Sequence, residues 1–185
     1  MSWVRDKNVI SIIILLFLFI LINRLTIYAQ HRVKRPKILI KRPYLGKRTK
    51  AYGCVSQGSY PDRACTPGGV MFNITVEQVC HQGYEENFKN LSEEVEREVY
   101  REYGIMRHQP GEYEINHLIP SVLGGSNSIA NLWPMSAKLN PGILEKAKVE
   151  NYLREQVCLG QMLLGQAQST IAYDWVKIYK AMGDD

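Results

Sequence analysis

The sequence predicts an α+β domain: two short antiparallel strands and a helix, embedded in a mainly helical, disulfide-stapled chain. Three observations carry this expectation. Tyr113 to Ile119 alternates as a strand does, and it leads through a Gly-rich loop and a short apolar segment into a helical stretch. The flanking stretches repeat apolar residues at helical spacing. Four cysteines stand without a CxxC pair, which argues against a structural zinc ribbon.

From the N-terminus, Val9 to Ile22 is a run of fourteen residues broken only by Ser11. As a helix it spans about 21 Å, short of a hydrocarbon layer of roughly 30 Å. Arg5 and Lys7 precede it, the layout of a signal peptide or an uncleaved signal anchor. No face carries a polar stripe, so a buried core helix is a poor reading. Ala29 is a candidate for the position before a cut. Seven Lys or Arg between Arg24 and Arg42 instead favour holding the C-terminal side in the cytoplasm, so cleavage and orientation stay open. The expected organisation is residues 1–29 as signal peptide or anchor, 30–50 as a basic flexible linker, and 51–183 as the folded domain. The expected location is periplasmic or extracellular, with residues 9–22 in the inner membrane if uncleaved.

The net charge of +5 is unevenly spread. Residues 24–50 carry ten Lys or Arg and no acid, whereas residues 51–185 carry eleven basic and seventeen acidic side chains, a balance of −6. The arm's charges suit nucleic acid, anionic lipid or other polyanions; a solvated tether without a partner is the plain alternative. Of three possible pairings of the cysteines, Cys54–Cys65 with Cys80–Cys158 is the one expected, four reduced thiols being the alternative.

Residues 51–75, rich in Gly and Pro, read as an irregular segment. A helix is expected from Asn90, with Asn90 and Glu93 as a capping box, Val95, Val99 and Tyr103 inward, and Gly104 as its end. A strand over Tyr113–Ile119 closes at Pro120, and a second near Asn131-Leu132-Trp133 is cut off by Pro134. The next helix starts around Asn140-Pro141-Gly142 and runs to Cys158, with Leu144, Ala147, Leu153 and Val157 inward. A last helix over Leu164–Met182 puts Ala167, Ile171, Trp175 and Tyr179 on one stripe.

The middle unit carries a recognisable order of residues: Glu114-Ile115-Asn116-His117-Leu118-Ile119-Pro120, Leu123-Gly124-Gly125, Asn131-Leu132-Trp133-Pro134 and Asn140. Further on stand Lys148-Val149-Glu150, Val157-Cys158-Leu159-Gly160, Ala167-Gln168, Ile171-Ala172 and Asp174-Trp175. Over about residues 78–180 this series resembles the HNH, or His-Me finger (ββα-metal), endonucleases, in particular small exported bacterial HNH-like proteins. The resemblance implies a ββα-metal finger and metal-dependent hydrolysis of phosphodiester bonds at low sequence specificity, leaving 5′ phosphates. It implies His117 as general base, Asn131 as the brace of the loop that holds it, and Asn140, with Asn116, as ligands of a divalent cation. Mg²⁺ is expected first, with Mn²⁺, Ni²⁺ or Zn²⁺ as alternatives, and no small-molecule cofactor; the implied substrate is nucleic acid, DNA ahead of RNA. Glu114 matches a family acid of unassigned role.

The chain departs from the family pattern twice. Asn116 stands where the family has a metal-binding Asp, and an amide oxygen binds a hard cation more weakly than a carboxylate. Lys146-Ala147 stands where Lys-Asp is usual. An HNH-fold protein that binds nucleic acid or a partner without cutting, or a membrane-tethered envelope protein, are therefore the rival expectations. Without the pattern, His117 reads as a half-buried structural histidine, Asn131 as a turn residue and Asn140 as an N-cap.

Overall fold

The computed structural model describes residues 15–19, 45–84 and 90–183. The chain divides into two units, Met1–Ile38 and Leu39–Asp185. In the first, residues 15–19 are helical and exposed. The rest of the apolar run 9–22, the region of the expected cut at Ala29 and the linker up to residue 44 lie outside the described residues. Among the described residues no helix is long and apolar enough to cross a membrane.

The second unit is a mixed α/β body with helices α1 (Val76–Val79), α2 (Glu93–Glu102), α3 (Ile143–Cys158) and α4 (Leu164–Met182) and strands β1 (Tyr113–His117) and β2 (Leu132–Ser136). β1 and β2 form one antiparallel pair, from Tyr113↔Ser136 to His117↔Leu132. The loop between them holds 3-10 turns at Ser121–Leu123 and Ile129–Asn131. β1 stops two residues short of the expected Ile119, because the Ile119 N–H turns to the side chain of Asn131 (2.9 Å). Pro134 does not end β2 but sits inside it, opposite Ile115. A proline is tolerated there because in a two-stranded sheet its nitrogen can face the open edge and cost no ladder bond.

The loop needs glycine at two places. Gly124 has φ +77°, and a Cβ on Gly125 would lie 1.7 Å from the Ile119 carbonyl oxygen. No side chain fits there, so the Gly124-Gly125 pair lets the chain fold back tightly against Ile119 and Pro120.

Helix α2 starts later than expected. Ser92, not Asn90, is its N-cap, with Oγ accepting from Val95 N at 3.3 Å. In α3 the expected inward set is half corrected. Leu153 and Val157 are buried, but Leu144 is 75% exposed and Ala147 is exposed. Lys146 and Val149 take the inner positions. Counting only apolar side chains rotates the stripe, because the buried member at 146 is a lysine. α4 spans the expected residues and buries Ala167, Ile171 and Trp175, but it is kinked at Asp174. That carboxylate accepts from Lys177 N (3.0 Å), capping the second half of the helix, and also accepts a hydrogen bond from the Tyr60 hydroxyl.

The core gathers Leu118, Ile119, Leu123, Trp133 and Met135 from the hairpin region with Val149, Leu153, Val157, Ile171 and Trp175 from α3 and α4. Truncating one such residue, Leu153→Ala for instance, costs about 2–5 kcal/mol. Both expected disulfides are present, Cys54–Cys65 (Cα–Cα 6.1 Å) and Cys80–Cys158 (5.5 Å). The second closes a loop of 78 residues and contributes about 4 kcal/mol in the chain-entropy account. The end of the expected linker packs on this body. Leu45 touches the core, Arg48 pairs with buried Glu102 and bonds Cys65 O (3.0 Å), and Lys50 bonds Asp62 (2.9 Å).

Candidate functional site

His117 is the last residue of β1 and half-buried. Its ring Nε2 lies 2.8 Å from Asn127 Oδ1. An amide oxygen only accepts, so Nε2 carries the proton and Nδ1 the lone pair. Burial, with help from the Lys146 ammonium, holds the ring's pKa below the ordinary imidazole value; the bond to Asn127 and the Glu150 carboxylate oppose this without reversing it. The ring is therefore neutral at pH 7, with one nitrogen free to accept a proton.

Asn131 is fully buried beneath this histidine's loop. Its Oδ1 accepts from Ile119 N (2.9 Å) and Gly69 N (3.2 Å), and its Nδ2 donates to Ile119 O (2.9 Å) and Ser126 O (2.8 Å). One side chain thus closes the ring of backbone from Ile119 to Ser126 and ties it to the disulfide-pinned segment. Directly before it in space, Leu118 N bonds Asn131 O at 2.8 Å.

Helix α3 meets the strand end through Lys146. This side chain is 0% exposed, and its Nζ donates to His117 O (2.7 Å) and to Glu150 Oε1 (2.5 Å). Asn140 lies just upstream of the same helix, exposed. It is not the N-cap: Gly142 is, and its N–H bonds Glu145 Oε2 at 2.7 Å. The stretch is anchored by Ser59 Oγ, which donates to Pro141 O (2.5 Å).

Asn116 pairs with Trp133, so the pleat sends its side chain to the face opposite that of His117. Its Oδ1 is buried without a hydrogen-bond partner. A buried acceptor left alone is costly, and such a lone pair is what a cation or an ordered water takes up. In that respect position 116 fits a metal ligand. Among the described residues no three His, Cys, Asp or Glu side chains gather as a metal-binding group. Glu114 is exposed on β1.

His117, Asn131 and the start of α3 are thus brought together, while no hydrogen bond joins His117 to Asn116 or Asn140 among the described residues. Three participants were given no role from sequence. Asn127 sits in a Ser-Asn-Ser stretch that reads as any turn. Lys146 and Glu150 form an i,i+4 pair, a spacing that signals contact on a helix but not burial. A cavity of about 910 Å³ opens elsewhere, among Leu45, Arg63, Tyr152, Leu153 and Tyr173, and none of these site residues lines it. Compared with protein-family models, with curated proteins and with solved structures, the chain has no match.

Proposed function

We propose that this chain is an HNH-like, His-Me finger endonuclease, in which β1, the Gly-rich loop, β2 and α3 form the ββα-metal unit. It hydrolyses phosphodiester bonds of nucleic acid with little sequence specificity. The observation that carries the reading is the state of the His117 ring, neutral by burial and oriented by Asn127, with Nδ1 left as a base.

In this reading Nδ1 takes a proton from water, the water oxygen forms a bond to phosphorus, and the bond to the leaving 3′ oxygen breaks. Asn127 keeps the ring in one tautomer throughout. Asn131 holds the loop so that the ring does not retreat. Asn140 would hold a divalent cation, Mg²⁺ in the first place, whose chemistry is to neutralise charge on the leaving oxygen. Two disulfides suit an oxidising compartment, in keeping with a periplasmic or extracellular enzyme.

A second reading, a protein of this fold that binds nucleic acid or a partner without cutting, is favoured by the amide at 116 in place of an acid. Incubating the purified protein with plasmid and Mg²⁺ or Mn²⁺ separates the two. The enzyme reading expects nicking and linearisation that fall about 10²–10⁴-fold in His117→Ala. Binding in a gel-shift assay with no cutting under any divalent metal establishes the second reading instead.

A further inference from the structure

Lys146 is a charged side chain with no exposure at all, at the foot of the candidate base. Burying an ammonium is costly unless it is paired, and an apolar residue of similar length would fill the same space without that cost. The position of its partner explains what it does. Leu118 N bonds Asn131 O, so by the alternation of an antiparallel ladder the His117 pair is a non-hydrogen-bonded one. The His117 carbonyl therefore points away from β2, to an open edge with no ladder partner. Lys146 Nζ supplies the missing donor at 2.7 Å, and Glu150, one turn further along α3, holds the ammonium at 2.5 Å.

We propose that the Lys146–Glu150 pair is a positioning strut: it fixes the His117 backbone, and so the imidazole, to the helix whose entrance carries Asn140. The strut sets the spacing between the two halves of the site. As the positioning element of a base it rests on the nuclease reading; as a restraint on the His117 ring it does not.

The test compares wild type, Lys146→Met, Glu150→Gln, His117→Ala and the double variant Lys146→Met/His117→Ala. The readouts are melting temperature, kcat and KM for plasmid cleavage with Mg²⁺, and the ring ¹H and ¹⁵N signals of His117 in metal-free protein. The expected result for Lys146→Met is a kcat lower by about 10–100-fold with KM within about two-fold, since small misplacements of a reacting group carry losses of that size. The His117 ring signals should shift or broaden, Glu150→Gln should move them in the same direction by less, and the double variant should cut no more slowly than His117→Ala. Ring signals unchanged in a folded Lys146→Met protein overturn the proposal, as does a double variant whose losses multiply. If Lys146→Met does not fold, the ring signals of Glu150→Gln decide in the same way. If wild type does not cut, the nuclease reading falls, and the ring signals alone still decide whether the strut restrains His117.

Discussion

The two sides of the candidate site are built to different standards. On the strand side, the loop from Leu118 to Asn131 is closed by four hydrogen bonds from one buried asparagine, two glycines that admit no side chain, and a ring bond from Asn127. On the helix side, Asn140 is exposed, two residues outside the cap of α3, and its segment is anchored through the Pro141 carbonyl. A base must be aimed before its substrate arrives, because misorientation cannot be repaired by water. Ligands of a hard cation can be completed by the ion itself, since Mg²⁺ keeps several of its waters and imposes its own geometry. On the proposed nuclease reading, rigidity is thus concentrated on the side that would take the proton.

Removing each asparagine in turn sharpens this contrast, and the largest effect on stability belongs to Asn131. Asn131→Ala leaves two buried donors and two acceptors without partners, so unfolding free energy from urea titration should fall by about 3–4 kcal/mol, at about 1 kcal/mol per bond. Asn140→Ala should stay within about 0.5 kcal/mol of wild type, as exposed substitutions do, and act only on metal-dependent cleavage. Equal destabilisation by the two would erase the comparison.

Asn127→Ala removes the acceptor that selects the tautomer. About a ten-fold loss of kcat is expected, with ¹⁵N ring shifts showing a mixture of tautomers. An unchanged tautomer in the variant would mean that something other than Asn127 sets it.

The smallest effect is on acid stability. The folded-state pKa of His117 lies below that of the unfolded chain, about 6.5, so the unfolded chain binds the proton more readily. The resulting stabilisation is fully present above pH 6.5 and is lost as pH falls through the folded value. Asp62 and Asp174, whose carboxyls are held below the usual range by hydrogen bonds that outweigh burial at Asp62, lose their contribution only in stronger acid. Urea midpoints should therefore drop between pH 7 and pH 5 in wild type and drop less in His117→Asn. Parallel drops would assign the acid sensitivity to other groups.

Much of the scaffold was legible in the sequence. Both disulfides, the bounds of α4 and the order strand, loop, strand, helix follow from cysteine spacing, periodicity and turn residues. What escaped has a common cause, polar groups whose partners lie far along the chain. Lys146 is buried because the His117 carbonyl awaits it, and that inverted the expected face of α3 at Leu144 and Ala147. Arg48 leaves the expected linker to meet Glu102, which is 54 residues away. Pro134 stays within β2 because the sheet has only two strands, a fact of topology. The α4 kink depends on Asp174 choosing the Lys177 amide and Tyr60 over continuing the helix. In the site, His117 and Asn131 stood out through the motif they share, whereas Asn127 did not, since a loop amide carries no periodic signal.

The most direct measurement is a titration of the isotopically labelled protein with Mn²⁺, a paramagnetic ion that broadens nearby nuclear signals. Side-chain signals of Asn140 and His117 should broaden first, well below one equivalent, and excess Mg²⁺ should restore them. Broadening confined to other acidic surfaces, such as the first turn of α2 with Glu93, Glu94 and Glu96, would contradict that expectation.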